Sequence, residues 1–138
     1  MKQILILQPV AALALFTLLV LLLMPYQRVK AFRARQVTED DFKFGESARV
    51  PTVVSIPNRN YMNLLELPIL FYVANIVLFM IGKADTIFLY MAWTYVGLRI
   101  CHSVVHLTYN RVLHRMFIFG MSNGVLAVIW IRILPLLA

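Results

Sequence analysis

Three polar side chains stand at helical spacing where the second apolar stretch of the chain begins. Arg59, Asn63 and Glu66 occupy positions i, i+4 and i+7, which places all three on one face of a helix. Pro68 follows closely and predicts a kink, because a proline ring frees a backbone carbonyl of the preceding turn. A carboxylate at membrane depth costs roughly 3 kcal/mol on insertion scales, so Glu66 is expected to face a partner inside a bundle.

A second polar stripe runs through the third apolar stretch. Tyr95, Arg99, His102 and His106 lie at offsets 0, 4, 7 and 11, again on one helical face. The simplest use of the two stripes is mutual neutralisation, with Glu66 paired to Arg99. Buried ion pairs of this kind often serve helix packing without doing any chemistry. A purely structural role for both stripes is therefore one hypothesis.

The stripes carry more positive than negative charge, and this imbalance favours a binding site. A pocket with surplus guanidinium groups suits an anionic ligand, since arginine binds carboxylate or phosphate through paired donors. One glutamate among these cations suits a ligand ammonium group, as in an amino acid or peptide. The cations on or beside the stripes are Arg59, Arg99, Arg111 and Arg115, with His102 and His106.

The spacing of the histidines is compatible with two other uses. His102 and His106 have the i, i+4 spacing of two zinc ligands on a helix. The motif is HSVVH, however, and lacks the glutamate of a zinc protease, so no metal site is predicted. With Glu66, the same histidines could instead form a small proton relay or transport path, although the sequence shows no paired broken helices of the transporter type.

Composition places the chain in a membrane. Of its 138 residues, 62% are hydrophobic and 14% are charged, which is typical of a polytopic membrane protein. The net charge of +7 arises from basic residues between the apolar stretches, and no nucleic-acid-binding module is recognisable. We therefore expect the lipid bilayer, and not nucleic acid, as a partner. The single cysteine, Cys101, excludes an intrachain disulfide.

Four apolar stretches predict four membrane spans in one domain that covers residues 1–138. Each has about the 20 residues that a helix needs to cross the hydrocarbon core, and lipid-exposed backbone favours helices. The first is interpreted as an uncleaved span, because no small-residue cleavage site precedes the basic residues that follow it. The predicted spans are 4–24, 64–81, 86–107 and 116–137, with a long polar loop at 25–63.

The basic residues predict the orientation of the spans. Seven lie in the 25–63 loop, and Arg111 and Arg115 lie between the third and fourth spans. The opposite side carries only Lys2, Lys83 and Arg132. Because basic loops stay in the cytoplasm, both termini are expected on the non-cytoplasmic face.

The polar loop contains two local signals. Thr38 and Asp41 have the spacing of a weak capping box. Pro51 and Pro57 are expected to break any continuous helix through the second half of the loop.

With these motifs in order, the chain resembles the MAPEG family, the membrane-associated proteins in eicosanoid and glutathione metabolism. The first motif is R-x3-N-x2-E at Arg59, Asn63 and Glu66, followed by a proline-containing apolar run. The second is R-x2-H-x3-[Y/H]-x4-R-x3-R, whose spacing is similar to the prostaglandin E synthase and microsomal glutathione transferase branch. A third, weaker element is RVKAFR after the first span. The second motif comprises Arg99, His102, His106, Arg111 and Arg115.

The resemblance implies an all-α, left-handed four-helix membrane bundle that assembles as a homotrimer. It implies glutathione as cosubstrate, bound between subunits near the cytoplasmic side, and a lipophilic electrophile or lipid hydroperoxide as second substrate. By position, Arg115 corresponds to the arginine that stabilises the glutathione thiolate. The implied glutathione-binding set is Lys30, Arg59, Asn63, Glu66, Arg99, His102, His106 and Arg111.

Two residues depart from the family pattern. His106 stands where members often have tyrosine, and Phe119 stands where some members have another. Both replace a phenol donor. The resemblance therefore indicates glutathione chemistry without indicating which lipophilic substrate is used.

Overall fold

The computed structural model describes residues 2–137, and within that range the chain is helical with no strands. Three short 3₁₀ turns accompany the α-helices, at Gln3–Ile6, Glu39–Phe42 and Leu134–Leu136. The all-α fold predicted from the apolar stretches is confirmed. The five α-helices are α1 (Leu7–Arg33), α2 (Thr52–Leu65), α3 (Pro68–Met80), α4 (Thr86–Leu107) and α5 (Val112–Ile133).

Three helical segments are long and apolar enough to cross a membrane, namely Gln3–Arg33, Thr52–Met80 and Val112–Leu136. Helix α4 is not among them, because its polar stripe lowers its mean hydropathy. Its 22 residues still give a length of about 33 Å at 1.5 Å per residue. A span at 86–107 therefore stays a prediction that rests on helix length and on the burial of the polar stripe.

The second predicted span begins earlier than expected. The predicted span is 64–81, whereas the helical segment that contains it runs from Thr52 to Met80, and α2 begins at Thr52, directly after Pro51. The carbonyl of Pro51 accepts the amide of Val54 at 2.9 Å, so Pro51 does mark the boundary. The expectation that Pro57 breaks the helix is wrong: it lies inside α2, where it removes only one hydrogen-bond donor.

At Pro68, where the sequence predicts a kink, the structure has an interruption between two helices. Helix α2 ends at Leu65, Glu66 leaves the helical conformation with φ −73° and ψ −90°, and Pro68 is the first residue of α3. Proline is tolerated at this position because the first amide of a helix has no intrahelical partner. The break separates an amphipathic α2 from an apolar α3.

The remaining loop, residues 34–51, is folded by its own polar network. The capping box predicted for Thr38 and Asp41 is present, with the Thr38 amide 2.9 Å from the Asp41 carboxylate. Ser47 donates to the same carboxylate at 2.6 Å, and Arg49 forms an ion pair with it at 3.3 Å. Val37 and Val50 of the loop are buried in a small cluster with residues of α1 and α2.

The main core lies between α1, α3, α4 and α5. Phe71 of α3 stacks on Tyr95 of α4 with ring centroids 4.6 Å apart. Leu13 of α1 and Ile129 of α5 are buried in the same cluster. Large apolar side chains elsewhere on the helices point outward, as a surface in contact with lipid requires; on α1 they include Leu15, Leu18, Leu19 and Leu22.

The end of the bundle that holds the α3–α4 turn is closed by paired polar groups. The Gln3 side chain exchanges two hydrogen bonds with the backbone of Ala84, at 2.8 and 3.0 Å. Asp85 caps α4 by accepting the Phe88 amide at 2.8 Å, and it forms an ion pair with Arg132 at 3.0 Å. The start of α1, the α3–α4 turn and the end of α5 are thereby fastened together.

Candidate functional site

At the opposite end of the bundle, a cavity of about 180 Å³ opens between α2, α4 and α5. It brings together three residues that the sequence predicted for a binding site, one from each helix. The other lining residues come from the first two turns of α5. The lining is Asn63, His102, Val112, Arg115, Met116 and Phe119.

Arg99 lies beside this cavity and is completely buried. Its Nη2 donates to the main-chain carbonyl of Asn63, and its guanidinium carbon lies 5.2 Å from the centroid of the Phe119 ring. Its Nε and Nη1 have no hydrogen-bond partner among residues 2–137. A buried guanidinium with free donors is costly unless a ligand or water occupies them.

The Glu66–Arg99 ion pair that mutual neutralisation requires is not formed. Glu66 is exposed, and the ion pairs of the described chain all involve other residues. The reason lies in the orientation of α2: Arg59 and Glu66 are on its exposed face. The buried face of the helix is formed instead by the stripe Val54, Pro57, Asn60 and Leu64. The cationic surplus at Arg99 is therefore unneutralised within one subunit.

The two histidines of the stripe are buried side by side on α4. The His102 and His106 rings meet edge to face with centroids 5.9 Å apart, and His102 also lies 5.8 Å from the Phe119 ring. Nδ1 of His102 and both ring nitrogens of His106 lack partners in the described chain. Among residues 2–137, no three or more His, Cys, Asp or Glu side chains are grouped as metal ligands would be.

Arg115 reaches the cavity from the first turn of α5. It is half-buried, and its Nη1 donates to the side-chain oxygen of Asn110 at 2.7 Å. Its Nε is buried without a partner in the described range. The side chain is thus held in place on one side while it keeps a free donor.

Six of the nine predicted residues do not line the cavity of the single subunit: Arg99 and His106 are buried on α4 beside it, and four others lie further out. Arg59, Glu66 and Arg111 are exposed, in or directly beside the helices α2 and α5 that border the cavity. Lys30 lies on α1 in a separate groove with Tyr26 and other residues. Their side chains occupy the outward faces of their helices, so one chain alone leaves them outside the site.

Sequence reasoning missed several buried polar residues near the stripes. Asn60 is fully buried, and both polar atoms of its amide lack partners in the described chain. Helical spacing could have predicted this burial, because Asn60 lies on the same face of α2 as the buried residues Val54, Pro57 and Leu64. The hydroxyl of Ser103 on α4 is likewise buried and unpaired.

The polar atoms at this end thus form an unsaturated and cationic site. Arg99 and Arg115 both have donors without a partner in residues 2–137, and no carboxylate of that range lines the cavity. Such an arrangement can bind a carboxylate or stabilise a developing thiolate, because each requires donors and positive charge.

The family model described as MAPEG family matches residues 6–135, nearly the whole chain. The protein therefore belongs to the MAPEG family and is an integral membrane protein built as a helical bundle. The branch within the family is not distinguished by this match. Neither the curated proteins nor the solved structures include a significant match to the chain.

Proposed function

We propose that this protein is a glutathione-dependent membrane transferase or peroxidase that acts on lipophilic electrophiles or lipid hydroperoxides. The observation that carries the proposal is the cavity at the α4–α5 end, where Arg99 and Arg115 offer donors that no group of the described chain accepts. Family membership supports the same conclusion, since it suggests a function related to glutathione.

Arg115 is the proposed catalytic residue. Its guanidinium would lower the pKa of the glutathione thiol, because a nearby cation favours the thiolate over the thiol. The thiolate would then form a carbon–sulfur bond to the electrophile, whose leaving group departs with the bonding electron pair. The proton of the thiol passes to solvent before this step.

The peptide part of glutathione would use the other predicted residues. Asn63, Arg99, His102 and His106 stand at or beside the cavity and supply donors and acceptors. Glu66 would receive the ammonium group of the ligand, which is consistent with its having no cationic partner in the described chain. Lys30, Arg59 and Arg111 would contribute from exposed positions.

We further propose that a homotrimer completes the site. The cavity of about 180 Å³ is smaller than the roughly 300–1,000 Å³ of typical small-molecule sites. The exposed binding residues on α1 and α2 would then belong to the wall that a neighbouring subunit adds. With basic loops in the cytoplasm, the site would lie near the cytoplasmic face and both termini on the other side.

A second candidate is a non-catalytic bundle whose polar residues serve assembly. The hydrogen bond from Arg99 to the Asn63 carbonyl favours it, because this bond ties α4 to α2 across the interior. A proton relay through the two adjacent histidine rings is a further alternative. Neither needs glutathione, so ligand binding separates all three.

The test is binding and turnover with the purified protein in detergent. Calorimetric titration with glutathione, and with an analogue in which a methyl group replaces the thiol, measures headgroup recognition separately from thiol recognition. Conjugation of an aromatic halide and reduction of an organic hydroperoxide measure turnover. Binding of both peptides with turnover of at least one substrate supports the proposal; absence of glutathione binding would refute it.

A further inference from the structure

The turn between α4 and α5 has a residue in the left-handed conformation at its centre. Asn110 has φ +50°, in the left-handed region, and its amide donates to the carbonyl of Val105 at 2.8 Å. Few residues other than glycine adopt this conformation readily, and asparagine is one of them. The left-handed turn ends α4 and directs the chain into α5.

The same residue holds Arg115 through its side chain. The Asn110 oxygen accepts a hydrogen bond from Nη1 of Arg115 at 2.7 Å, across five positions of sequence. A guanidinium has only donors, so the amide must present its oxygen and not its nitrogen at this contact. A short bond to a charged donor is among the stronger hydrogen bonds in proteins.

The acceptor bound to Arg115 carries no charge, as is also true of the Asn63 carbonyl that accepts from Arg99. The arginines of the three ion pairs in the described range, Arg28, Arg49 and Arg132, each contact a carboxylate. The side chain of Arg115 is instead bound by a neutral amide. A neutral acceptor orients the guanidinium without cancelling its charge, and the charge is what a thiolate would use.

We propose that Asn110 is a positioning residue with two roles. Its left-handed backbone joins α4 to α5, and its side-chain oxygen holds the Arg115 guanidinium toward the cavity. Its consequence for turnover rests on the function proposed above. The contact itself does not, since it is a property of the protein without any ligand. No sequence motif used above pointed to this residue.

Three variants separate the roles of backbone and side chain. Asn110→Gly keeps the left-handed conformation and removes the acceptor. Asn110→Asp keeps both the conformation and an acceptor but adds a negative charge. Thr108→Val is the matched control in the same turn: it removes the hydrogen bond from the Thr108 hydroxyl to the Val104 carbonyl and touches no arginine. Circular dichroism and gel filtration establish that each variant is folded and assembled.

The first readout is the rate at which phenylglyoxal modifies Arg115 in the ligand-free protein, measured by mass spectrometry with Arg132 as internal reference. We expect Asn110→Gly to raise this rate about tenfold, close to the lower end of the effect of losing a hydrogen bond to a charged group. Asn110→Asp should not raise the rate, because its carboxylate still accepts from the guanidinium. Thr108→Val should leave the rate within about twofold of wild type. An unchanged rate in Asn110→Gly would overturn the proposal.

The second readout is the pH dependence of glutathione conjugation. Both Asn110 variants should move the pH profile to higher pH. In Asn110→Gly the guanidinium is no longer held near the thiol. In Asn110→Asp the added negative charge disfavours the thiolate. Thr108→Val should retain the wild-type profile. If the wild type does not bind glutathione, the proposed function fails, while the modification rates still decide whether Asn110 positions Arg115. A glycine variant with faster modification but an unshifted profile would overturn the role in turnover.

Discussion

The two ends of the bundle treat polar groups in opposite ways. At the α3–α4 turn, Gln3 binds the Ala84 backbone, and Asp85 accepts both the Phe88 amide and the Arg132 guanidinium. At the other end, roughly the length of α4 away, cationic and imidazole groups surround a cavity with donors that nothing in the described chain accepts. Both ends are rich in polar residues, but the cavity end has many more buried polar atoms without a partner in the described chain; near the α3–α4 turn Nε1 of Trp130 is one such atom.

This difference indicates which end is built for stability and which for a ligand. A saturated network already has its hydrogen bonds and gains little from another molecule. Buried polar groups without partners have lost their hydrogen bonds to water, which is unfavourable. A ligand of suitable charge can supply those bonds when it binds. The two ends are therefore distinguished by how many of their buried polar atoms have a hydrogen-bond partner, more than by the number of charged residues.

The largest expected effect is on turnover at the cavity end. Arg115→Ala should lower the rate of glutathione conjugation by about 10²-fold or more, the range seen when one donor to a reacting anion is removed. Arg132→Ala is the matched control at the saturated end, and it should keep the wild-type turnover. Steady-state kinetics on both variants measures the contrast. Equal losses in the two would remove the distinction between the ends.

The next effect concerns the buried Arg99. Arg99 has no ion-pair partner in residues 2–137, so an apolar residue of similar length in its place leaves no opposite charge unpaired. We expect Arg99→Met to remain folded and assembled but to bind glutathione about tenfold or more weakly, as the loss of hydrogen bonds to a charged group predicts. Calorimetry and thermal unfolding measure the two properties. A variant that unfolds or dissociates while retaining affinity would favour the assembly role instead.

A smaller effect is expected when the saturated end is opened. Asp85→Ala removes the cap of α4 and the ion pair with Arg132, and should lower the free energy of unfolding by about 1 kcal/mol. Glutathione affinity should not change, because Asp85 lies at the far end of α4 from His106. A lower melting temperature with constant affinity confirms the comparison; a weaker affinity would show that the two ends are coupled.

The smallest expected effect concerns the polar network around Asp41 in the loop 34–51, whose contribution to stability depends on pH. Hydrogen bonds from Ser47 and Thr38 lower the pKa of Asp41 from 3.8 to about 2. Because the folded loop favours the ionised form, its contribution to stability is complete above about pH 4 and is lost as the pH falls through about 2.

The Thr38 amide, which donates to Asp41, should titrate in an NMR experiment with a midpoint near that lower value. Asp41→Asn should abolish the transition, whereas the matched variant Asp40→Asn should preserve it. A midpoint near the ordinary carboxyl value would mean that the network does not persist in solution.

Much of the architecture could be predicted because it follows from periodicity and from proline chemistry. The burial of Arg99, His102 and His106 on one face of α4 followed from their spacing, and the helix break followed from Pro68. The start of α2 did not, because Pro57 suggested a break that one missing hydrogen bond is too small to cause.

The errors at the site have two physical origins. Helical spacing put Glu66 on one stripe with Arg59 and Asn63, but it could not show that another face of α2 is the buried one. The importance of Asn110 depends on a positive φ angle, which spacing does not report. Periodicity shows which residues share a face of a helix, but not which face is buried or what residues just outside the helix do.

The most direct test of the central claim is the ultraviolet absorbance of the glutathione thiolate in the presence of the purified protein, titrated against pH. We predict that bound glutathione has a thiol pKa at least about one unit below the roughly 8.5 of a free thiol, and that Arg115→Ala removes this shift. Bound glutathione with an unshifted thiol, or a shift that persists in Arg115→Ala, would contradict the account.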